Sequence, residues 1–178
     1  MNVAVVGAGH VGLVTSACLA SMGHDVVATD SDGEKIERLL RGEPTFFEPG
    51  LAELLAEGTA ASRLRFTSHG REAFAGSEVV FICVGTPPDV DGEANLVAVE
   101  RAAIEFARHG ADDAVVVEKS TVPVGTAGRI AQTLARERPG AAFEVVSNPE
   151  FLREGRAIRD YLEPDRILVG SASQRGFD

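Results

Sequence analysis

Short apolar runs recur along the chain as NVAVVG, DVVATD, LRFT, EVVFICVG, AVVVEKS, FEVVS and RILVG, each bounded by turn residues. Several are apolar at consecutive rather than alternate positions, the pattern of strands covered on both faces. Helix-length segments lie between most of them, at His10 to Met22, Asp32 to Arg41, Pro49 to Glu57, Asn95 to Arg108 and Val124 to Arg138. In the fourth, Leu96, Val99, Ala103 and Phe106 recur at helical spacing behind Asn95, a good capping residue. Strand and helix alternate throughout, which predicts an α/β fold with a mainly parallel sheet and helices on both faces. No internal repeat, low-complexity stretch or linker interrupts the rhythm. The longest irregular segment, Gly85 to Ala94, follows a strong strand candidate, and open α/β sheets bind ligands at strand carboxyl ends.

The first strand runs directly into GAGHVG, with Gly7, Gly9 and Gly12 in GxGxxG spacing, and the second strand ends in Asp30. Alone the glycines are weak evidence. Their position between a strand and an apolar helix, with an acid about 20 residues on, is the context that gives them meaning. Gly7 permits a tight turn, Gly9 lets the backbone approach a diphosphate, and Gly12 lets helix and strand pack closely. Helix amides and dipole then face the phosphates. Asp30 suits ribose hydroxyls and repels a 2′-phosphate, and the next cation is Lys35, so the pattern favours NAD over NADP. The pattern is that of a doubly wound, Rossmann-type fold. The plain alternative is a ligand-free turn with Asp30 capping the next helix.

Further segments leave strands at the same edge. VGTPP carries Thr86 as its nearest polar handle, with Pro87 and Pro88 removing amide donors. EKSTVPVGT places Ser120 and Thr121 at a strand exit, where capping the following helix is the commoner job for a hydroxyl. SNPEFLREG follows the sixth run; Asn148 and Pro149 read as a helix cap and first helical residue. Glu150 then lies in a first turn, where the dipole favours a carboxylate. On a helix Glu150 and Glu154 share one face, and no comparable structural reason accounts for Glu154.

Composition narrows the field. The chain has 178 residues, fitting one domain with a real core, and a formal net charge of −10 from 17 basic and 27 acidic residues. The acids are scattered, which reads as a solvated surface, and no basic stripe invites nucleic acid. Cys18 and Cys83 lie in apolar segments and read as buried hydrophobes in a reducing compartment. His10, His24, His69 and His109 show no metal-ligand spacing, so no metal is expected. The apolar run at Val3 to Val6 is far too short for a membrane span. The expectation is a soluble, cytoplasmic protein without nucleic-acid or membrane partners.

Taken together, VAVVGAGHVGLV, EPGLAELL, VVFICVGTPPDVDGEANL, EKSTVPVGT and SNPEFLREGRAIRDYLEPDRILVG resemble the N-terminal domain of the UDP-glucose/GDP-mannose dehydrogenase family. A generic dinucleotide-binding protein would share only the first segment. The resemblance implies oxidation of the C6 alcohol of a nucleotide sugar to a carboxylate with two NAD⁺ per turnover. It implies that Gly7, Gly9, His10, Val11, Gly12, Asp30 and Lys35 hold the adenosine and diphosphate part of NAD. Val84, Gly85, Thr86, Pro87 and Ser120 would line the path to nicotinamide. Thr121 would touch the cofactor and help hold a catalytic water. Glu150 would assist hydrolysis of a covalent intermediate, with Glu154 near nicotinamide and that water. Glu150, Phe151, Leu152, Arg153 and Glu154 would contact the sugar nucleotide.

The family traps an aldehyde on a cysteine thiolate from a later loop, and neither Cys18 nor Cys83 matches that motif. The resemblance therefore covers a cofactor domain spanning 1–178, without the family's central helix and C-terminal nucleotide-sugar domain, and inactive alone. Family members are homo-oligomers, and this part is expected to be monomeric. UDP-glucose is the expected substrate, with GDP-mannose and UDP-N-acetylhexosamines as alternatives. A dinucleotide-sensing module that has lost catalysis is a different class; it needs the glycines and Asp30 but has no use for Thr121, Glu150 and Glu154.

Overall fold

Successive residues of the first strand supply two different cores. In β1 (Asn2–Val6), Val3 and Val5 face one cluster while Ala4 and Val6 face another. The same alternation recurs in β2 (Asp25–Thr29), where Val26 and Ala28 oppose Val27. Strand side chains point to opposite faces by turns, so a run apolar at every position is a strand with packing on both sides.

The computed structural model describes residues 1–177. The other strands are β3 (Leu64–Thr67), β4 (Val79–Ile82), β5 (Val115–Glu118), β6 (Glu144–Ser147) and β7 (Gly170–Ser171). They form a 7-stranded sheet in the order β3-β2-β1-β4-β5-β6-β7. All pairs are parallel except β6 with β7. The helices are α1 (His10–Ser21), α2 (Gly33–Leu40), α3 (Leu51–Ala60), α4 (Gly70–Phe74), α5 (Val97–His109), α6 (Thr126–Glu137) and α7 (Ala157–Leu162). Residues of α1, α2 and α3 pack on one face, and residues of α4, α5 and α6 on the other. This is the doubly wound α/β arrangement that the alternation predicts. The order reverses between β1 and β4, a switch point where such sheets open a ligand crevice.

Register makes that edge level. Thr67, Thr29, Val6, Ile82, Glu118 and Ser147 pair across it in one row. Chains leaving the row after β1, β4, β5 and β6 are stitched to their neighbours, Gly7 N to Thr29 O at 2.8 Å, Cys83 N to Val6 O at 2.8 Å, Lys119 N to Ile82 O at 3.0 Å and Asn148 N to Glu118 O at 2.8 Å. The exits therefore start at a common height.

Two boundaries differ from expectation. RILVG is not a full strand: only Gly170 and Ser171 pair, antiparallel to β6, while Ile167, Leu168 and Val169 are exposed. An apolar run needs a neighbouring strand to become one, and β6 offers partners to two residues alone. In addition, α5 begins at Val97, and Asn95 meets it through its side-chain oxygen, which accepts from Val97 N at 3.0 Å. The Gly85 to Ala94 segment folds back on itself through a Pro88 to Ala94 bridge and an Asp89 N to Glu93 O bond of 2.8 Å.

Candidate functional site

The glycine loop is shaped by close backbone approach. Gly7 has φ of +99°, and a Cβ there would stand 2.6 Å from the Cys83 carbonyl oxygen. At Gly12 a Cβ would stand 1.7 Å from the Gly7 carbonyl oxygen. Gly9 differs, since nothing lies within 4 Å of the Cβ it lacks. That open space is bounded by the start of α1, which has no side-chain cap and no acidic residue in its first turn. The leading amides of a helix have no intrahelical acceptor, and the positive end of its dipole faces the same space. The loop fits a diphosphate.

Asp30 stands just past the end of β2, beside this loop. Its carboxylate accepts from Ala8 N at 2.7 Å, Asp32 N at 2.9 Å and Lys35 Nζ at 2.9 Å. Burial alone would push the carboxyl up. Hydrogen bonds from the Asp32 amide, Lys35 and the Ala8 amide outweigh that and hold it below its ordinary value. The residue that caps α2 is Asp32, whose side chain accepts from Lys35 N. Asp30 is therefore no helix cap. A carboxylate has about four acceptor positions, so one is left for a hydroxyl.

At the β4 and β5 exits, Thr86 Oγ1 donates to Thr121 O at 2.6 Å, tying the two loops together. Ser120 donates both its amide and its hydroxyl to Ile82 O. Neither Ser120 nor Thr121 caps α6, whose N-cap is Gly125 without a side-chain bond. The capping interpretation of these hydroxyls is thus overturned; Val122, Pro123, Val124 and Gly125 separate them from the helix. Val84 and Thr86 are half-buried, while Gly85, Pro87 and Thr121 are exposed toward solvent.

SNPEFLREG is not a helix. Residues 148–156 form an extended turn, and α7 starts only at Ala157. Tertiary partners claim the groups that would have started a helix. The Asn148 side chain accepts from Lys119 Nζ at 3.0 Å and donates to Leu168 O at 2.8 Å. Arg153 is drawn to Asp160 by bonds of 2.9 and 2.7 Å, and Gly155 turns the chain at φ +85°. Glu150 closes a local turn by accepting from Leu152 N. Glu150 and Glu154 consequently do not share a helical face. Glu150 is half-buried and Glu154 exposed. Register still aligns Glu150 with Thr121, each three residues beyond the paired ends Ser147 and Glu118.

Beside the segment lies a cavity of about 500 Å³, with Glu150, Phe151, Leu152 and Arg153 in its wall, together with Lys119 and Tyr161. It runs away from the glycine loop, toward Leu19 and Met22 at the far end of α1. Lys119 is buried, and that burial lowers its pKa. Its ammonium lies 5.7 Å from the Tyr161 ring centroid. Its neighbour Glu118 is also buried, and Oε1 finds no hydrogen-bond partner among the described residues. Desolvation pushes the Glu118 carboxyl from 4.5 to about 7.

Glu118 therefore makes stability pH-dependent. Between the unfolded value near 4.5 and the folded value near 7 the native state holds the extra proton, so this residue's contribution falls as pH rises through that window. Glu118→Gln will gain on the order of 2 kcal/mol over the parent near pH 8 and almost nothing near pH 4. Thermal melts across that range check it; a difference that is flat with pH would exclude the buried acid as its source.

Sequence reasoning passed over Glu48, in the connection between α2 and α3. Its side chain, 1% exposed, lies 3.2 Å from His10 Nε2. It also accepts from Gly155 N and Ala157 N at 2.8 Å each. It stands in the sequence as the first residue of EPGLAELL, but nothing local shows its role, because its partners are 38, 107 and 109 residues away. Cys18 and Cys83 are free and buried, and burial pushes both thiols to about 12. Neither is a thiolate nucleophile near neutral pH. Among the described residues no group of three or more His, Cys, Asp or Glu is placed to hold a metal, and no helix is long and apolar enough to cross a membrane.

Comparison with known proteins gives the family and the fold. The chain is 50% identical over 171 residues to the UDP-glucose 6-dehydrogenase of Rhizobium meliloti, covering 96% of this chain and 39% of that protein. A solved UDP-glucose dehydrogenase from Pyrobaculum islandicum matches with TM-score 0.94 and 43% identity, over 98% of this chain and 41% of that one. A GDP-mannose dehydrogenase from Pseudomonas aeruginosa, solved as a ternary complex, matches with TM-score 0.93 and 34% identity, over 100% of this chain and 42% of that one. The chain thus spans about two fifths of the length of these relatives. The model of the NAD binding domain of the UDP-glucose/GDP-mannose dehydrogenase family matches residues 1–177, and the chain belongs to that family.

Proposed function

We propose that residues 1–178 form a single cofactor domain serving a nucleotide-sugar 6-dehydrogenase, with UDP-glucose as the substrate. The observation that carries the reading is Asp30: an ionised carboxylate held beside the uncapped amino terminus of α1. In this reading the α1 amides and Gly9 receive the diphosphate, and Asp30 and Lys35 receive the adenosine ribose. NAD, when bound, accepts hydride from the sugar's C6. Thr86, tied to Thr121, holds the β4 and β5 exits around the ring, with Ser120 below them. Thr121 and Glu150, at matched positions on adjacent strand exits, orient water and take up its proton. Phe151 to Glu154 meet the sugar nucleotide. The names of the relatives favour UDP-glucose over GDP-mannose.

A thiolate step cannot run on Cys18 or Cys83, whose thiols stay protonated. The domain as it stands is therefore read as binding NAD⁺ without converting UDP-glucose. Its free, buried cysteines support a reducing, cytoplasmic setting. Homo-oligomers are proposed for the full-length enzyme, with this domain monomeric. Titration calorimetry with NAD⁺, paired with an assay for UDP-glucuronate, tests the reading. Heat of NAD⁺ binding without turnover is expected; absence of binding, or robust turnover by residues 1–178, would refute it.

A further inference from the structure

The cofactor loop and the segment bearing Glu150 and Glu154 are far apart in sequence, yet one buried carboxylate touches both. Glu48 Oε1 accepts from Ala157 N at 2.8 Å, and Oε2 accepts from Gly155 N at 2.8 Å. Oε2 is also 3.2 Å from His10 Nε2. His10 opens α1 and packs its ring against Phe46, with centroids 5.0 Å apart. Gly155 immediately follows Glu154, and Ala157 opens α7. Burial disfavours the charged form of Glu48, but the Gly155 amide, His10 and the Ala157 amide outweigh it and keep the carboxyl below its ordinary value.

A buried carboxylate facing several donors is a stiff joint, because charge-assisted hydrogen bonds are short and removing the acceptor strands every donor. Surface solubility does not explain an acid with a side chain 1% exposed. Helix capping explains Ala157 but not His10 or Gly155. Glu48 gives the α1 amino terminus a hydrogen-bonded route to the end of the acidic segment, beside the direct packing of Ala157 on Val14 and Cys18.

We propose that Glu48 is a positioning residue that couples dinucleotide binding at the start of α1 to the order of the Glu150–Glu154 segment. The inference rests on the NAD⁺ reading above. It acts through His10, whose amide belongs to the helix end that receives the diphosphate and whose ring reaches Glu48. With the dinucleotide in place α1 is held, Glu48 is held by His10, and Gly155 and Ala157 are fixed in turn. Glu154 and Glu150 are then presented by a segment anchored at its end.

Hydrogen exchange at the Gly155 and Ala157 amides, with and without NAD⁺, tests this in the parent chain and in Glu48→Gln. In Glu48→Gln the side-chain amide keeps one acceptor oxygen and turns a donor toward a donor. In the parent chain NAD⁺ is expected to slow both amides about tenfold. In Glu48→Gln the amide left facing the side-chain NH2 will exchange roughly 10- to 100-fold faster without NAD⁺, the scale of one charge-assisted bond, and both amides will lose the response to NAD⁺. Amides in β1 and β4 report global stability in the same data, so local loosening is distinguished from unfolding. Should Glu48→Gln unfold, His10→Ala serves instead. It leaves both backbone bonds to Glu48 and is expected to keep Gly155 and Ala157 protected while abolishing the NAD⁺ response. A parent chain that binds no NAD⁺ would overturn the cofactor reading and this inference with it. Normal NAD⁺ binding, with the response of Gly155 and Ala157 retained in either variant, would overturn the coupling alone.

Discussion

Asp30→Ala will weaken NAD⁺ binding about 100-fold while leaving NADP⁺ binding nearly unchanged. A hydrogen bond from a ribose hydroxyl to an ionised carboxylate is worth roughly 10- to 100-fold in affinity. The carboxylate that would accept it is held ionised at its place by Ala8 N, Asp32 N and Lys35 Nζ. NADP⁺ gains little from that bond, because its 2′-phosphate would meet the same negative charge. Removing Asp30 also frees Lys35, the ammonium 2.9 Å from it, to face that phosphate. The preference for NAD⁺ over NADP⁺ should therefore narrow. Calorimetric titration of both nucleotides against parent and variant measures it. If the ratio of the two dissociation constants is the same before and after, Asp30 does not read the ribose. Loss of the Ala8 and Asp32 bonds will also lower stability, so both titrations belong well below the melting temperature.

Gly12→Ala and Gly9→Ala separate two uses of glycine in one loop. At Gly12 the added methyl would lie 1.7 Å from the Gly7 carbonyl oxygen, and the obstacle is backbone in a turn that has no slack. Relief requires α1 to move off β1, and α1 is buried from Gly12 to Ala20. Overpacking of this kind costs about 3 kcal/mol or more, which at this size lowers the melting temperature by roughly 6–12 °C. At Gly9 no atom lies within 4 Å, and φ is −80°, open to any residue. Gly9→Ala will melt within about 2 °C of the parent, since substitutions without a named clash move stability little. It will bind NAD⁺ more weakly, because the methyl takes the space meant for diphosphate. Paired melts and titrations on the two variants are decisive. Gly12→Ala melting with the parent would show that the loop yields, and Gly9→Ala binding NAD⁺ normally would show that the phosphates lie elsewhere.

The site divides by how far its residues must look for partners. Gly7, Gly9, Gly12 and Asp30 lie within one strand–helix–strand unit, so their spacing already states the geometry. The strand exits at Thr86, Ser120 and Thr121 were legible as a group, because strands ending at one edge deliver their loops together. Their local jobs were less so: Thr86 bonds to Thr121 O, and no hydroxyl caps α6. SNPEFLREG has a helix-start composition, yet Lys119, Leu168 and Asp160 claim Asn148 and Arg153 for other bonds. Favourable cap chemistry is worth about 1 kcal/mol, and several competing tertiary bonds exceed it.

What the amino-acid order determined by itself is the doubly wound sheet and its cofactor loop. Runs apolar at every position demand cover on both faces, and glycine spacing is a steric fact that needs no distant partner. What only the folded chain decided is the path of residues 148–156, the shortening of the last strand and the burial of Glu48. Each depends on donors and acceptors tens of residues away, which meet only after the sheet has aligned its exits; a carboxylate cannot announce, from its neighbours Phe47 and Pro49, that Gly155 will be waiting for it.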